Sequence, residues 1–142
     1  MSHTLLVSTQ NDDNFLPPYH ADAQDIQNVA LCGSAFFYDE ARIFRIMDEI
    51  KYKFGIFRLV RGKEDRVGKI TDKWSQQNGI KNITERISWF KHGGVARAMR
   101  DEHILNKYSP ILVVCFISLN KYPDLYKRSI KNYVNVIKFY FP

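Results

Sequence analysis

An α/β domain built on a mostly parallel sheet, with helices covering both faces, is the fold class this sequence predicts. Three observations predict it. Apolar runs such as Val29-Ala30-Leu31-Cys32 and Ile111-Leu112-Val113-Val114-Cys115-Phe116 show no polar alternation, as strands buried on both faces do. Between such runs, apolar residues recur at spacings of three and four, the pattern of amphipathic helices. Glycines mark several of the junctions. The chain reads β-α-β-α-β-α-β-α-β, a Rossmann-like, doubly wound order. Sheets of this kind take ligands in the crevice at the carboxyl ends of their strands.

The first strand covers Val29–Cys32 and stops at Gly33-Ser34. Asp39 is placed to cap a helix, with Glu40 favourable in its first turn. Ile43, Ile46, Met47, Ile50 and Phe54 make one stripe, and Gly55 closes that helix. Ile56–Val60 reads as the second strand, followed by Arg61-Gly62. A helix over about 67–77 carries Ile70 and Trp74 on one face and ends before Gly79. Ile83 and Ile87 alternate within a third strand at 80–87. Past Gly93-Gly94 a helix fits 95–108, and Pro110 bars its continuation. The fourth strand is 111–116, a last helix spans about 124–132 and a final strand 134–141. Residues 1–28 are polar and interrupted by Pro17-Pro18, and read as a loosely ordered extension to a single domain at 29–142.

Composition is that of an ordinary globule: 45% hydrophobic, 14% aromatic and 25% charged over 142 residues. At this length a sizeable core can form without staples. Charge is uneven. The net value is +6, yet residues 1–28 hold Asp12, Asp13, Asp22 and Asp25 and no Lys or Arg. All 21 basic residues therefore lie in 29–142, which calls for an anionic partner. Cys32 and Cys115 fit no metal spacing and read as buried thiols of a reducing compartment. No cofactor or metal motif is present. The N-terminus has no signal-peptide pattern, and no apolar run approaches the ~20 residues of a membrane span. The expected location is cytoplasmic.

Three segments are candidates for anion binding. Gly33-Ser34 follows the first strand, where a glycine lets backbone approach a phosphate at a helix start. Arg61-Gly62-Lys63-Glu64-Asp65-Arg66 follows the second, with Gly62 and the three basic residues Arg61, Lys63 and Arg66 forming a basic rim; it is no P-loop, and a solvated loop explains the same residues. In Trp89-Phe90-Lys91-His92-Gly93-Gly94, positive charge meets a helix start, and Trp89 is placed either to stack on a base or to fill the core. Arg97 and Arg100 then share a helix face as a pair of guanidinium forks, unless Asp101 neutralises one within the fold. His92, Asp101 and Glu64 are the candidate acids or bases. No hydrolytic motif accompanies them. Lys127, Arg128 and Lys131 on the last helix suit either a nucleic-acid backbone or solvent.

These residues together resemble a known family. Gly33-Ser34-x-x-Phe37-x-Asp39, then Gly62 and Trp74, then Trp89-x-x-x-Gly93-x-x-Ala96-x-x-x-Arg100, then Pro110-x-x-Val113-Val114-x-Phe116 look like the YspA-type branch of the SLOG superfamily. The likeness runs from about Val29 to Phe116. It implies a Rossmann-like fold, kinship with the DprA proteins and LOG phosphoribohydrolases, and nucleotide-related ligands held by glycine-rich turns. Carried over, it implicates Gly33, Ser34, Gly62, Trp89, Gly93 and Arg100. Departures are several. Ala35 stands where the family usually has arginine, Arg97 where it has glycine, and Asp101 where it has asparagine. The acidic glycine-rich loop is reduced to Gly62 and its neighbours. After Phe116, Ile117-Ser118-Leu119-Asn120 replaces a glycine-rich phosphate turn, and the phosphoribohydrolase motif is absent.

The leading expectation is a domain that senses or sequesters a nucleotide or nucleotide-derived anion. Gly33-Ser34 and Gly93-Gly94 would donate backbone N–H groups, while Lys63, Arg66, Arg97 and Arg100 would neutralise phosphate. The alternatives are a nucleotide-processing hydrolase or transferase and a DprA-like nucleic-acid-binding protein. The apolar Phe139-Tyr140-Phe141 segment suggests a surface for a second copy of the chain.

Overall fold

The structure is a computed structural model and describes residues 6–7, 26–33, 39–62, 66–86 and 93–141. The elements are β1 (Leu6–Val7), β2 (Gln27–Gly33), α1 (Glu40–Phe54), β3 (Phe57–Gly62), α2 (Arg66–Asn78), β4 (Asn82–Glu85), a 3-10 turn (Gly93–Val95), α3 (Ala96–Tyr108), β5 (Leu112–Ser118), α4 (Asp124–Lys131) and β6 (Val136–Phe141). The sheet order is β1-β6-β5-β2-β3-β4. The strands β2 to β6 pair in parallel throughout. Only β1 runs antiparallel, setting Leu6 opposite Lys138 and Val7 opposite Ile137. This is the Rossmann-like α/β fold, with the chain's direction of travel reversing between β2 and β5.

Alternation along the strands feeds two cores. Leu31, Leu59, Val114 and Phe116 meet Ile43 and Met47 of α1 and Trp74 of α2. Ala30, Val60, Val113 and Ile117 meet Ile104 of α3 and Leu125 of α4 on the other face. Every residue of β5 is buried, so its unbroken apolar run is what a central strand requires. α1 forms as its sequence dictates: Asp39 accepts from the Arg42 amide at 3.1 Å, and Gly55, at φ 73°, returns its amide to Lys51. Trp74 is core, stacking on Phe57 at 6.3 Å and donating its indole N–H to Asp48 at 2.8 Å.

Some boundaries differ from the sequence reading. β2 begins at Gln27, because Gln27 and Asn28 pair with Phe57 and Arg58. Arg61 and Gly62 belong to β3 and not to the loop after it; they pair with Thr84 and Glu85. α3 ends at Tyr108, where the sequence places its end, and the left-handed backbone of Ser109 (φ 42°) turns its amide back to the Leu105 carbonyl. Phe139 lies inside β6 and stacks on Phe116 at 5.7 Å. Tyr140 is half-buried, its hydroxyl 3.1 Å from that of Tyr122. That segment therefore contributes to this chain's own sheet and core.

Gly33 ends β2 where space is tight. A Cβ there would stand 2.5 Å from Cγ2 and 3.0 Å from Cβ of the buried Val67 on α2. Valine on a helix holds essentially one rotamer and cannot swing aside. Gly33→Ala should cost about 1–3 kcal/mol by overpacking. In a Val67→Ala background the same change should cost far less, as urea unfolding will report. Equal penalties in both backgrounds would refute the contact.

Candidate functional site

The carboxyl ends of β2, β3 and β5 lie side by side, and each leads toward a helix start. Chain order reverses between β2 and β5, which is where open α/β sheets form their crevice. Gly33 and Gly62 end two of these strands. α3 enters through Gly93, at φ 57°, and the 3-10 turn to Val95, which makes no side-chain cap. The first amides of α3 thus have no acceptor from their N-cap side chain, the condition under which a helix start attracts an anion.

After β5 a tight turn occupies this rim. Leu119 and Asn120 both adopt left-handed backbone (φ 55° and 54°), and the Lys121 amide closes the turn on the Ser118 carbonyl at 3.0 Å. Consecutive positive φ values define a type I′ turn. For leucine this conformation carries strain of order 1 kcal/mol.

An arginine lies on each face of the end of β3. On the α2 side, Arg61 is buried and runs alongside Gly68, where a Cβ would come within 2.5 Å of its guanidinium. It donates Nε to Asp72 at 3.0 Å, Nη2 to the other oxygen of that carboxylate, and Nη1 to the Gly62 carbonyl at 2.7 Å. Asn82 donates to the same carboxylate at 2.6 Å. On the α3 side, the Arg100 guanidinium presses on Gly62: a Cβ on that glycine would sit 2.1 Å from Nη1. Arg100 is buried and donates Nε to the buried Asp101 at 2.6 Å. Gly62 thus makes room for a guanidinium of this chain.

Asp101 also shares a hydrogen bond with Asp124, the first residue of α4. Burial pushes the Asp101 carboxyl up to about 6; the Arg100 charge and hydrogen bond pull it down, and Asp124 adds to the rise. Burial opposes ionisation of Asp124 too. Hydrogen bonds from Arg128 and Asp101, with the charges of Arg128 and Lys127, outweigh it and hold Asp124 below the usual carboxylate range. Below about pH 6 the pair is therefore an acid donating to a carboxylate at the α3–α4 junction, and above it Asp101 is the carboxylate that faces Arg100. Arg128 completes the network, reaching Asp124 at 3.0 Å and Glu102 at 3.2 Å.

Among the residues singled out from the sequence, the structure brings Gly33, Gly62, Gly93, Arg100 and Asp101 to the same end of the sheet. Arg97 and Arg100 are placed differently: Arg97 is exposed, whereas Arg100 is buried against Gly62 and joined to Asp101, the ion pair that the sequence offered as the alternative to paired forks. Arg66 opens α2 and Gly94 lies in the 3-10 turn. Ser34, Lys63, Glu64, Trp89, Lys91 and His92 lie outside the described residues. Arg61, read from sequence as part of a basic loop rim, is a strand residue held by Asp72; Asp72 and Asp124 escaped the sequence reading. The alternation Phe57, Leu59, Arg61 signals the strand position of Arg61, and the i,i+4 spacing of Asp124 and Arg128 signals Asp124.

Among the described residues no helix is long and apolar enough to cross a membrane. Residues 27–92 match the model of the YAcAr family, described as YspA, cpYpsA-related SLOG. That match covers β2 to the residue before Gly93, and the likeness read onward to Phe116 lies beyond it. No curated protein and no solved structure matches the chain.

Proposed function

Over residues 27–92 the chain belongs to the YspA, cpYpsA-related SLOG family, and from that membership we propose that it binds a nucleotide or nucleotide-derived anion at the carboxyl ends of β2, β3 and β5. Family membership suggests nucleotide-related ligands in general. The observation that carries the local reading is the start of α3, a glycine-led turn without a side-chain cap, beside the glycines that end β2 and β3. Phosphate oxygens would accept from its amides, and the exposed Arg97 would add charge one turn in. Arg100 contributes differently, since Asp101 already takes its Nε. Its role is to set the floor of the crevice and the position of Gly62. The excess of basic residues after position 28 favours an anion entering this region.

Calorimetry of the folded chain against NAD, ADP-ribose, cyclic dinucleotides and a single-stranded oligonucleotide tests the reading. One nucleotide should bind, and Arg97→Ala should weaken it about tenfold, roughly 1.4 kcal/mol. Absence of heat at millimolar nucleotide with the fold intact would sink the proposal. Oligonucleotide affinity that falls steeply with salt, with no nucleotide binding, would favour a nucleic-acid partner instead.

A further inference from the structure

Cys32 of β2 and Cys115 of β5 stand opposite each other in the parallel pairing of the two strands. Paired positions on neighbouring strands send their side chains to the same face, and both thiols enter the layer beneath α3 and α4. Neighbouring strands lie about 4.8 Å apart, within the roughly 4.4–6.8 Å that the Cα atoms of a disulfide span. The two Sγ atoms are 2.8 Å apart. A bond of about 2.05 Å therefore needs only a short approach of the sulfurs and no change of register. Cys115 is fully buried, whereas Cys32 keeps 3% exposure and directly precedes Gly33 at the carboxyl end of its strand. Cys32 is thus the more accessible of the two sulfurs.

We infer that Cys32 and Cys115 form an oxidisable pair, a modification site that a small peroxide converts into a disulfide joining β2 to β5. In the first step the Cys32 sulfur gives up its proton and attacks one oxygen of hydrogen peroxide. The O–O bond breaks, leaving a sulfenic acid on Cys32 and releasing water. The Cys115 sulfur then attacks the Cys32 sulfur; the S–S bond forms, the S–O bond breaks, and the hydroxyl departs with the thiol proton as a second water. The two thiols together lose two electrons, and the peroxide accepts them. Burial limits access and makes the first step slow. The second is intramolecular between atoms already in contact, so it outruns further oxidation of the sulfenic acid.

The test treats the full-length folded chain with hydrogen peroxide, removes the oxidant, denatures the protein and alkylates it for mass spectrometry. The expected product has lost two hydrogens, takes up no alkylating reagent and yields a cross-linked peptide containing Cys32 and Cys115. Dithiothreitol should restore both alkylation sites. The oxidised form should also unfold at higher urea than the reduced form, because the link closes a long loop between positions 83 apart. In Cys115→Ala, Cys32 should stop at a sulfenic acid that dimedone traps. The inference is overturned if both thiols remain alkylatable, if each oxidises separately to a sulfinic acid, or if the only disulfide joins two chains.

Discussion

Asp101→Leu is expected to destabilise the fold by about 3–5 kcal/mol, because it strands the buried Arg100 guanidinium without its carboxylate. The loss should appear as a lower urea midpoint with an unchanged slope. The conservative Asp101→Asn isolates the titration. Burial raises the Asp101 carboxyl to about 6 from an ordinary 3.8. A raised carboxyl favours the fold while protonated, so its stabilising contribution is complete below pH 3.8 and is lost as pH climbs through 6. The wild-type chain should therefore lose up to about 3 kcal/mol relative to Asp101→Asn between about pH 4 and pH 7. Asp124 titrates below this window, since Arg128 and Asp101 hold it down against burial. Parallel stability curves for the two proteins would show that Asp101 is not the group that titrates.

Gly62→Ala is the second large effect. In a strand, alanine ordinarily costs less than glycine, so without a collision the substitution would stabilise the chain by about 0.5–1 kcal/mol. Here the new methyl would lie 2.1 Å from Nη1 and 2.5 Å from Cζ of Arg100. That side chain is buried and anchored by Asp101, so it cannot yield without breaking a buried ion pair. The expected cost is about 3 kcal/mol. In an Arg100→Ala background the penalty should shrink or reverse sign, giving a coupling of about 0.5–3 kcal/mol in a double-mutant cycle. Simple additivity would mean that the two residues do not touch.

The relation between Gly62 and Arg100 also bears on function. A glycine at a strand end reads, from sequence, as room for a phosphate. The space above Gly62 is taken by a guanidinium from the helix that opens at Gly93, and the side of β3 facing α2 is taken by Arg61. Both charges meet carboxylates of this chain, Asp101 and Asp72. In the proposed reading, an external anion would therefore be held by backbone amides and exposed side chains at the rim. This is why Arg97, and not Arg100, is the variant chosen to report ligand affinity.

By itself, the sequence determined the alternation of strands and helices, the capping of α1 by Asp39, and the central, doubly buried character of β5. These are local properties: periodicity, cap chemistry and an unbroken apolar run act within a few residues. The end of β3 was not legible in the same way. Arg61 looked like a loop residue because a lone charge is costly to bury, and only Asp72, brought alongside by α2, removes that cost. The seat of Arg100, the Asp101–Asp124 pair and the contact between Cys32 and Cys115 depend on elements far apart in the chain meeting across the sheet. Tertiary structure alone decides them, since strand order and register set which side chains face one another.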